Sequence, residues 1–191
     1  PMRLTLFLIS LILVSCGASE SKKPGYRVKW IKYRATSEEE AKIQISLWDQ
    51  KAWLLNGKGE VVLETDVATG VAGKESPQGV FEVLERIESK RSNLYGKYVN
   101  EATGEVVIEK AWEHSGEVPA GCVYEGIAMP YWMRLTWYGV GMHVGKFKKR
   151  IRSSFGCIRV YQKAQLLIYQ KTRIGTPVEI VPQSLQEQFE F

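Results

Sequence analysis

Residues 42–65 read Lys42-Ile43-Gln44-Ile45-Ser46-Leu47-Trp48-Asp49-Gln50-Lys51-Ala52-Trp53-Leu54-Leu55-Asn56-Gly57-Lys58-Gly59-Glu60-Val61-Val62-Leu63-Glu64-Thr65. Ile43, Ile45 and Leu47 alternate with Lys42, Gln44 and Ser46, the period-two pattern of a strand with one buried face. Trp48-Asp49-Gln50 reads as a turn and residues 51–55 as a second strand. Asn56-Gly57, with Gly59 close behind, is a hairpin signal, because Asn and Gly tolerate the positive φ angles of a tight turn. A third strand starts at Val61. Three short strands in succession place the chain in a mainly β class.

The pattern continues in both directions. Gly79-Val80-Phe81-Glu82-Val83 opens another strand. Residues 88–127 are polar and Gly-punctuated, with one apolar run at Val106-Val107-Ile108, and read as an insertion carrying a hairpin. Residues 161–174 form the one main helix, with Ala164, Leu167, Ile168 and Ile174 on one side and Gly175 just past its end. In residues 176–181 Val178 and Ile180 alternate as a last strand. Upstream, Tyr26 to Tyr33 reads as an edge strand, and Ser37-Glu38-Glu39-Glu40 as the start of a helical turn. The expected organisation is a single β domain over residues 41–181, followed by a tail at 182–191.

The chain has 191 residues, 45% hydrophobic and 25% charged, with a net charge of +5. That composition excludes disordered, collagen-like and coiled-coil classes, and the length suits one domain with a real core. There are two His and three Cys. The spacings of His114, Cys122, His143 and Cys157 match no close-pair ligand pattern, so neither a metal nor another cofactor is expected.

The N-terminal residues carry an address. After Arg3, residues 4–14 are mostly apolar, too short for the roughly 20 residues of a membrane span but proportioned as a signal-peptide core. Leu13-Val14-Ser15-Cys16-Gly17 resembles the lipobox of bacterial lipoproteins. The resemblance implies a signal peptide at 1–16, lipid on Cys16, and residues 17–40 as a short tether and N-terminal extension. An ordinary cleaved signal with an incidental Cys is the plain alternative. The implied location is exported and lipid-anchored, facing the periplasm or cell wall; Gly17, rather than Asp, favours an outer membrane. At that address Cys122 and Cys157 tend to oxidise and a disulfide between them is open, though spacing does not show proximity. The positive excess is then no nucleic-acid signal.

Chemistry gathers between residues 129 and 160. In Tyr138-Gly139-Val140-Gly141-Met142-His143-Val144-Gly145, an extended chain puts Val140, Met142 and Val144 on one face and His143 among three glycines on the other. Glycine inside a strand marks close approach by a ligand or another backbone; a satisfied structural His is the competing reading. In Ser153-Ser154-Phe155-Gly156-Cys157-Ile158-Arg159-Val160, Cys157 and Arg159 share a face. A lone Cys is commonly a small buried hydrophobe. Against that, Gly156 allows close backbone approach, Arg159 favours the thiolate, and His143 is available as a base. The run Lys146-Phe147-Lys148-Lys149-Arg150-Ile151-Arg152 reads either as a solvated loop or as a means of capturing acidic substrates.

Taken together, these residues resemble the catalytic domain of the YkuD-type L,D-transpeptidases. His143, then Ser154, Gly156, Cys157, Ile158 and Arg159, follow the family's His and Ser/Thr-x-Gly-Cys pattern. Ser-Pro-Gln-Gly-Val-Phe at 76–81, Met129-Pro130-Tyr131-Trp132-Met133-Arg134 and Gly175-Thr176-Pro177-Val178 match its lesser marks in order. The resemblance implies an L,D-transpeptidase-like β-sandwich of mixed sheets, and peptidoglycan stem peptides as partners. It implies Cys157 as nucleophile and His143 as base. The oxyanion and substrate-binding positions it implies are Gly156 and Cys157 through backbone N–H groups, Ser154, Arg159, Tyr131 and Trp132. For Ser154 a turn-stabilising role competes, for Arg159 a structural ion pair, and for the aromatics core packing. Phe155 stands where the family often has His, and Val144 separates His143 from Gly145, leaving a backbone carbonyl to orient the imidazole. The alternatives are an L,D-carboxypeptidase with water as acceptor and a non-catalytic, lipid-anchored wall-binding module. Nothing in the sequence speaks to oligomeric state.

Overall fold

Ile43 and Ile45 are buried and Lys42 is exposed, so the alternation at 42–45 builds a strand with its apolar face inward, while Ser46 at its end is buried as well. The computed structural model describes residues 25–189. The expected signal peptide and lipobox, and residues 17–24 of the expected tether, lie outside the described residues. The elements, in order, are β1 (Tyr26–Val28), α1 (Trp30–Ala35), β2 (Lys42–Ser46), β3 (Lys51–Leu55), β4 (Val61–Ala68), β5 (Gly79–Glu82), β6 (Glu85–Asn100), β7 (Val106–Ile108), β8 (Cys122–Arg134), β9 (Gly141–Val144), β10 (Ile158–Val160), α2 (Gln162–Gln170) and β11 (Pro177–Val181).

The strands run in the order β5-β11-β2-β3-β4-β10-β9-β8-β6-β7, with β1 added on β4. The expected mixed β architecture is present, and its two halves are one continuous hydrogen-bonded sheet joined at β4. The β2–β11 and β9–β10 pairs are parallel, while β4 is antiparallel to β1, β3 and β10. One core draws on both halves and on α2: Ile45, Leu54 and Leu63 meet Met142, Ile158 and Ile168. Each such side chain removed from water contributes roughly 1.5–3 kcal/mol.

β3 is buried on both faces. Ala52 and Leu54 enter the main core, whereas Trp53 and Leu55 join Val61 in a second cluster closed by Leu185 and Phe189. The segment after β11, expected as a tail, therefore packs. The Phe189 ring lies 5.4 Å from that of Trp53, and the Leu185 N–H donates to Asp49 Oδ2 at 2.7 Å.

Three expectations change. The edge strand stops at Val28, and Trp30–Ala35 is helical, because Tyr33 turns into the core and its hydroxyl donates to the Leu167 carbonyl at 3.0 Å. Residues 38–40 are a turn rather than the start of a helix. α2 ends at Gln170 instead of 174: the Thr172 hydroxyl donates to the Ile168 carbonyl, and residues 173–176 close a turn through Thr176 N–H to Arg173 O at 3.1 Å. Thr side chains compete in this way for helix carbonyls. Gly175, at φ +86°, belongs to that turn, and Ile174 is exposed. Residues 88–127 carry the outer halves of β6 and β8, paired as far as Asn100 with Cys122, and β7 on the edge of β6.

Phe189→Ala should lower unfolding stability by about 3 kcal/mol in a urea titration, the cost of emptying an aromatic seat. An unchanged midpoint would mean that the segment does not hold the second cluster.

Candidate active site

The sheet brings the two chemically distinctive strands side by side. β9 and β10 pair in parallel, with Met142 beside Ile158 and His143 beside Arg159. Met142, Ile158 and Val160 are fully buried in the core, so the opposite face of both strands carries His143 and Arg159. Cys157 immediately precedes β10, on a turn where Gly156 takes φ +113°, a conformation that only glycine adopts readily. The strands are shorter than the alternation suggested: residues 138–140 and 153–157 are turn and loop.

Cys157 is half-buried. Its thiol lies 3.9 Å from the Gly139 carbonyl, and the Gly141 N–H donates toward the sulfur. Burial pushes the thiol above its ordinary value; the Gly141 N–H and the Arg159 charge act the other way without overcoming it. The expected thiolate is therefore not the resting form. His143 is only 5% exposed. Burial draws it down to about 4, against the Val144 carbonyl, and the charge of Arg159 adds to the fall. Both groups are neutral at pH 7. His143 Nδ1 lies 2.8 Å from the Val144 carbonyl oxygen. A carbonyl only accepts, so Nδ1 carries the hydrogen and Nε2 is left as the basic nitrogen. The backbone orienter expected from the local sequence is thus the carbonyl of the very next residue.

A second set of bonds fixes the loop before Cys157. The buried Ser76 hydroxyl donates to the Gly156 carbonyl at 2.6 Å and accepts the Gly70 N–H at 3.0 Å. Gly70 pairs in turn with Ser154. A Cβ on Gly70 would meet the Lys74 carbonyl oxygen at 1.9 Å, so this crossing requires glycine. With the Gly156 carbonyl tied to Ser76, the Cys157 N–H of the same planar peptide points the opposite way. It makes no hydrogen bond among the described residues. The Gly156 N–H does: it donates to Ser154 Oγ at 3.2 Å, and the Ser154 hydroxyl donates to the Cys157 carbonyl. Ser154 and the Gly156 N–H are consequently engaged inside the turn, and the Cys157 N–H is open among the described residues.

Beside this face is a cleft of about 810 Å³. His143, Cys157, Arg159 and Lys146 line one side, with Phe147 and Tyr161 stacked at 4.5 Å between ring centroids. Ser92 and Tyr95 of β6 and Ile127 to Pro130 of β8 line the other. Trp132 is buried behind the imidazole, 5.9 Å away between rings, with its Nε1–H donated to Glu85 Oε2. It packs where a Cβ on Gly141 would fall. Tyr131 stands off the cleft: its φ of +52° breaks the alternation of β8 and its ring packs 5.5 Å from Tyr169 of α2.

Sequence reasoning missed the aromatic contact between loop and insertion. Phe155 packs 5.1 Å from Tyr95 and 6.2 Å from Trp112. No local pattern links these three positions; only an aromatic next to a glycine-led Cys hinted at a partner. Cys122 and Cys157 are both free thiols, so no disulfide joins them. His114 bonds the Glu117 carbonyl out in the insertion. Of the basic run, Lys149 pairs with buried Asp66 at 3.3 Å and Arg152 donates to the Leu47 carbonyl, which pins the loop; Lys146 reaches the cleft. Among the described residues no helix is long and apolar enough to cross a membrane, and no three His, Cys, Asp or Glu side chains gather as ligands.

Ser76→Ala leaves the buried Gly156 carbonyl and Gly70 N–H unpaired and should cost about 2 kcal/mol in denaturant unfolding, with Ser76→Thr recovering most of it. Alkylation of Cys157 by iodoacetamide should climb steadily from pH 6 to 9, because a thiol raised by burial ionises only above its ordinary range. A rate plateau beginning near pH 6 would reveal a preformed thiolate–imidazolium pair and contradict the neutral resting state.

The L,D-transpeptidase catalytic domain family, YkuD, matches residues 40–180. Among solved structures, an L,D-transpeptidase from Stackebrandtia nassauensis is similar with a TM-score of 0.54 at 16% identity, over 78% of this chain and 58% of that one. One from Mycobacterium smegmatis gives 0.54 at 15%, over 74% and 58%. One from Enterococcus faecium gives 0.52 at 23%, over 74% and 50%. The chain thus spans little more than half the length of these relatives, and at such identities they show the fold alone. No curated protein sequence matches. The family model covers most of the chain and includes both strands that carry His143 and Cys157, and on that match the chain belongs to the YkuD L,D-transpeptidase catalytic domain family.

Proposed function

We propose that the protein is a peptidoglycan L,D-transpeptidase with a cysteine nucleophile, anchored by lipid on Cys16 and exported to face the periplasm or cell wall. The observation that carries this reading is the site itself. His143, whose Nδ1 is held by the Val144 carbonyl so that Nε2 is the basic nitrogen, stands on one face of the paired β9 and β10, Cys157 immediately precedes β10, and both line a cleft of about 810 Å³.

The chemistry follows from the resting state. In a stem tetrapeptide the Cys157 sulfur attacks the carbonyl of the diamino acid while His143 Nε2 takes the thiol proton. Transferring the proton during attack suits a neutral pair, because no buried charge need exist beforehand. The carbonyl oxygen turns anionic and meets the open Cys157 N–H, which the Ser76 bond aims away from the loop. The carbon–nitrogen bond then breaks, His143 returns the proton to the leaving amine, and D-Ala departs from a thioester. An amine of a second stem attacks the thioester, forms the cross-link and releases the thiol. Phe155 supplies no imidazole to this sequence. Its contacts with Tyr95 and Trp112 serve to hold the insertion over the cleft.

Incubating the protein with disaccharide-tetrapeptide and following products by mass tests the reading. A cross-linked dimer with loss of D-Ala is the expected outcome, abolished by Cys157→Ala and reduced at least about a thousandfold by His143→Ala. Tripeptide without dimer would make the protein an L,D-carboxypeptidase. Unchanged substrate with reduced Cys157 would leave a wall-binding module.

A further inference from the structure

The wall of the cleft that holds the thiol carries two cations and faces no anion. Arg159 is half-buried next to His143, and its aliphatic stem lies over Gly145, where a Cβ would come within 2.7 Å of Arg159 Cγ. Lys146 follows at the rim. No Asp or Glu lines the cleft. Neither cation makes a hydrogen bond or ion pair with any described residue. Other arginines of the sheet are matched: Arg91 pairs with Glu125 and Arg134 with Glu85. Taking a guanidinium partly out of water without a partner is unfavourable, and an anionic ligand is the natural offset. The basic loop is pinned through Lys149 and Arg152 and His143 is neutral at pH 7, so neither offsets the two charges.

We propose that Arg159 and Lys146 are two carboxylate seats, so that the cleft selects donor peptides bearing two free carboxylates and rejects their carboxamides. This rests on the cleft being the donor site of the reaction above. Arg159, two residues from the nucleophile on the same face, takes the carboxylate nearer the scissile bond, with its planar fork on both oxygens. Lys146, at the rim, takes the second as a point charge. A carboxamide matches a carboxylate in shape but has no charge and turns an N–H₂ toward the cation, so each amidation is read individually. The competing role for Arg159, a structural ion pair, finds no carboxylate among the described residues.

The test uses three tetrapeptide donors: the free acid, the same peptide amidated at its terminal carboxylate, and the same peptide amidated at its side-chain carboxylate. Acyl-enzyme formation is followed by mass over a range of concentrations. Each amidation should lower kcat/KM for acylation about tenfold or more, the scale of one charge-assisted hydrogen bond. Arg159→Gln should erase the penalty for one amidation and Lys146→Gln that for the other. Arg159→Lys should keep a weakened preference, which separates loss of recognition from loss of fold, and exposed Lys146 offers a variant with little structural risk. Equal acylation by acid and amide donors would overturn the inference while leaving the proposed reaction intact. So would penalties that neither variant alters. Failure of all three donors to acylate reduced Cys157 would overturn the proposed reaction and this inference with it.

Discussion

The parallel pairing of β9 with β10 is the constraint on which the site depends. Met142, Ile158 and Val160 are fully buried on one face, and their burial sets the register. With register set, His143, Arg159 and the approach to Cys157 share the other face. A slip of one residue would drive the imidazole and guanidinium into the core and expose the apolar side chains, a cost far larger than any gain on the active face. The chemistry is thus held in place by packing on the side where no chemistry occurs. Gly141 and Gly145 complete the arrangement from the active face, one making room for Trp132 and the other for the stem of Arg159.

The loop that presents Cys157 is held differently. It is too irregular for ladder hydrogen bonds, so side chains replace them: Ser76 reaches it from a distant segment, and Ser154 closes it locally. Together they tie the Gly156 carbonyl, the Gly156 N–H and the Cys157 carbonyl, and leave the Cys157 N–H without a partner among the described residues. Burial keeps both thiol and imidazole uncharged, so the site spends no free energy on maintaining an ion pair in a half-dry cleft. The cations at Arg159 and Lys146 then remain as the charges that an approaching ligand meets.

Strands built on local alternation, β2, β3 and β11, and the Asn56-Gly57 turn were legible because period and turn chemistry are properties of neighbouring residues. So was the pairing of His143 with Cys157, through the order and spacing of its motifs. Less legible were segments whose conformation is set by distant partners. Tyr33 makes α1 helical through a bond to α2, and Thr172 and Thr176 shorten α2 by capturing backbone groups. Tyr131 and Trp132 are adjacent and both aromatic, yet one packs against Tyr169 of α2 and the other backs the imidazole, partners that only the closed fold brings to them.

By itself the sequence determined the mainly β class and pointed to Cys157, to His143 and to a backbone carbonyl as the orienter of the imidazole, since each follows from patterns within a few residues or from an ordered set of motifs. Tertiary structure alone decided that Ser76 aims the Cys157 peptide, that Phe155 meets Tyr95 and Trp112, that the C-terminal segment closes a second core, and that Arg159 stands without an acid. Those facts depend on which residues far apart in the chain come within hydrogen-bonding or van der Waals reach, and on how much water burial removes. Neither is written in any local stretch of residues; both emerge only when the sheet closes over its core.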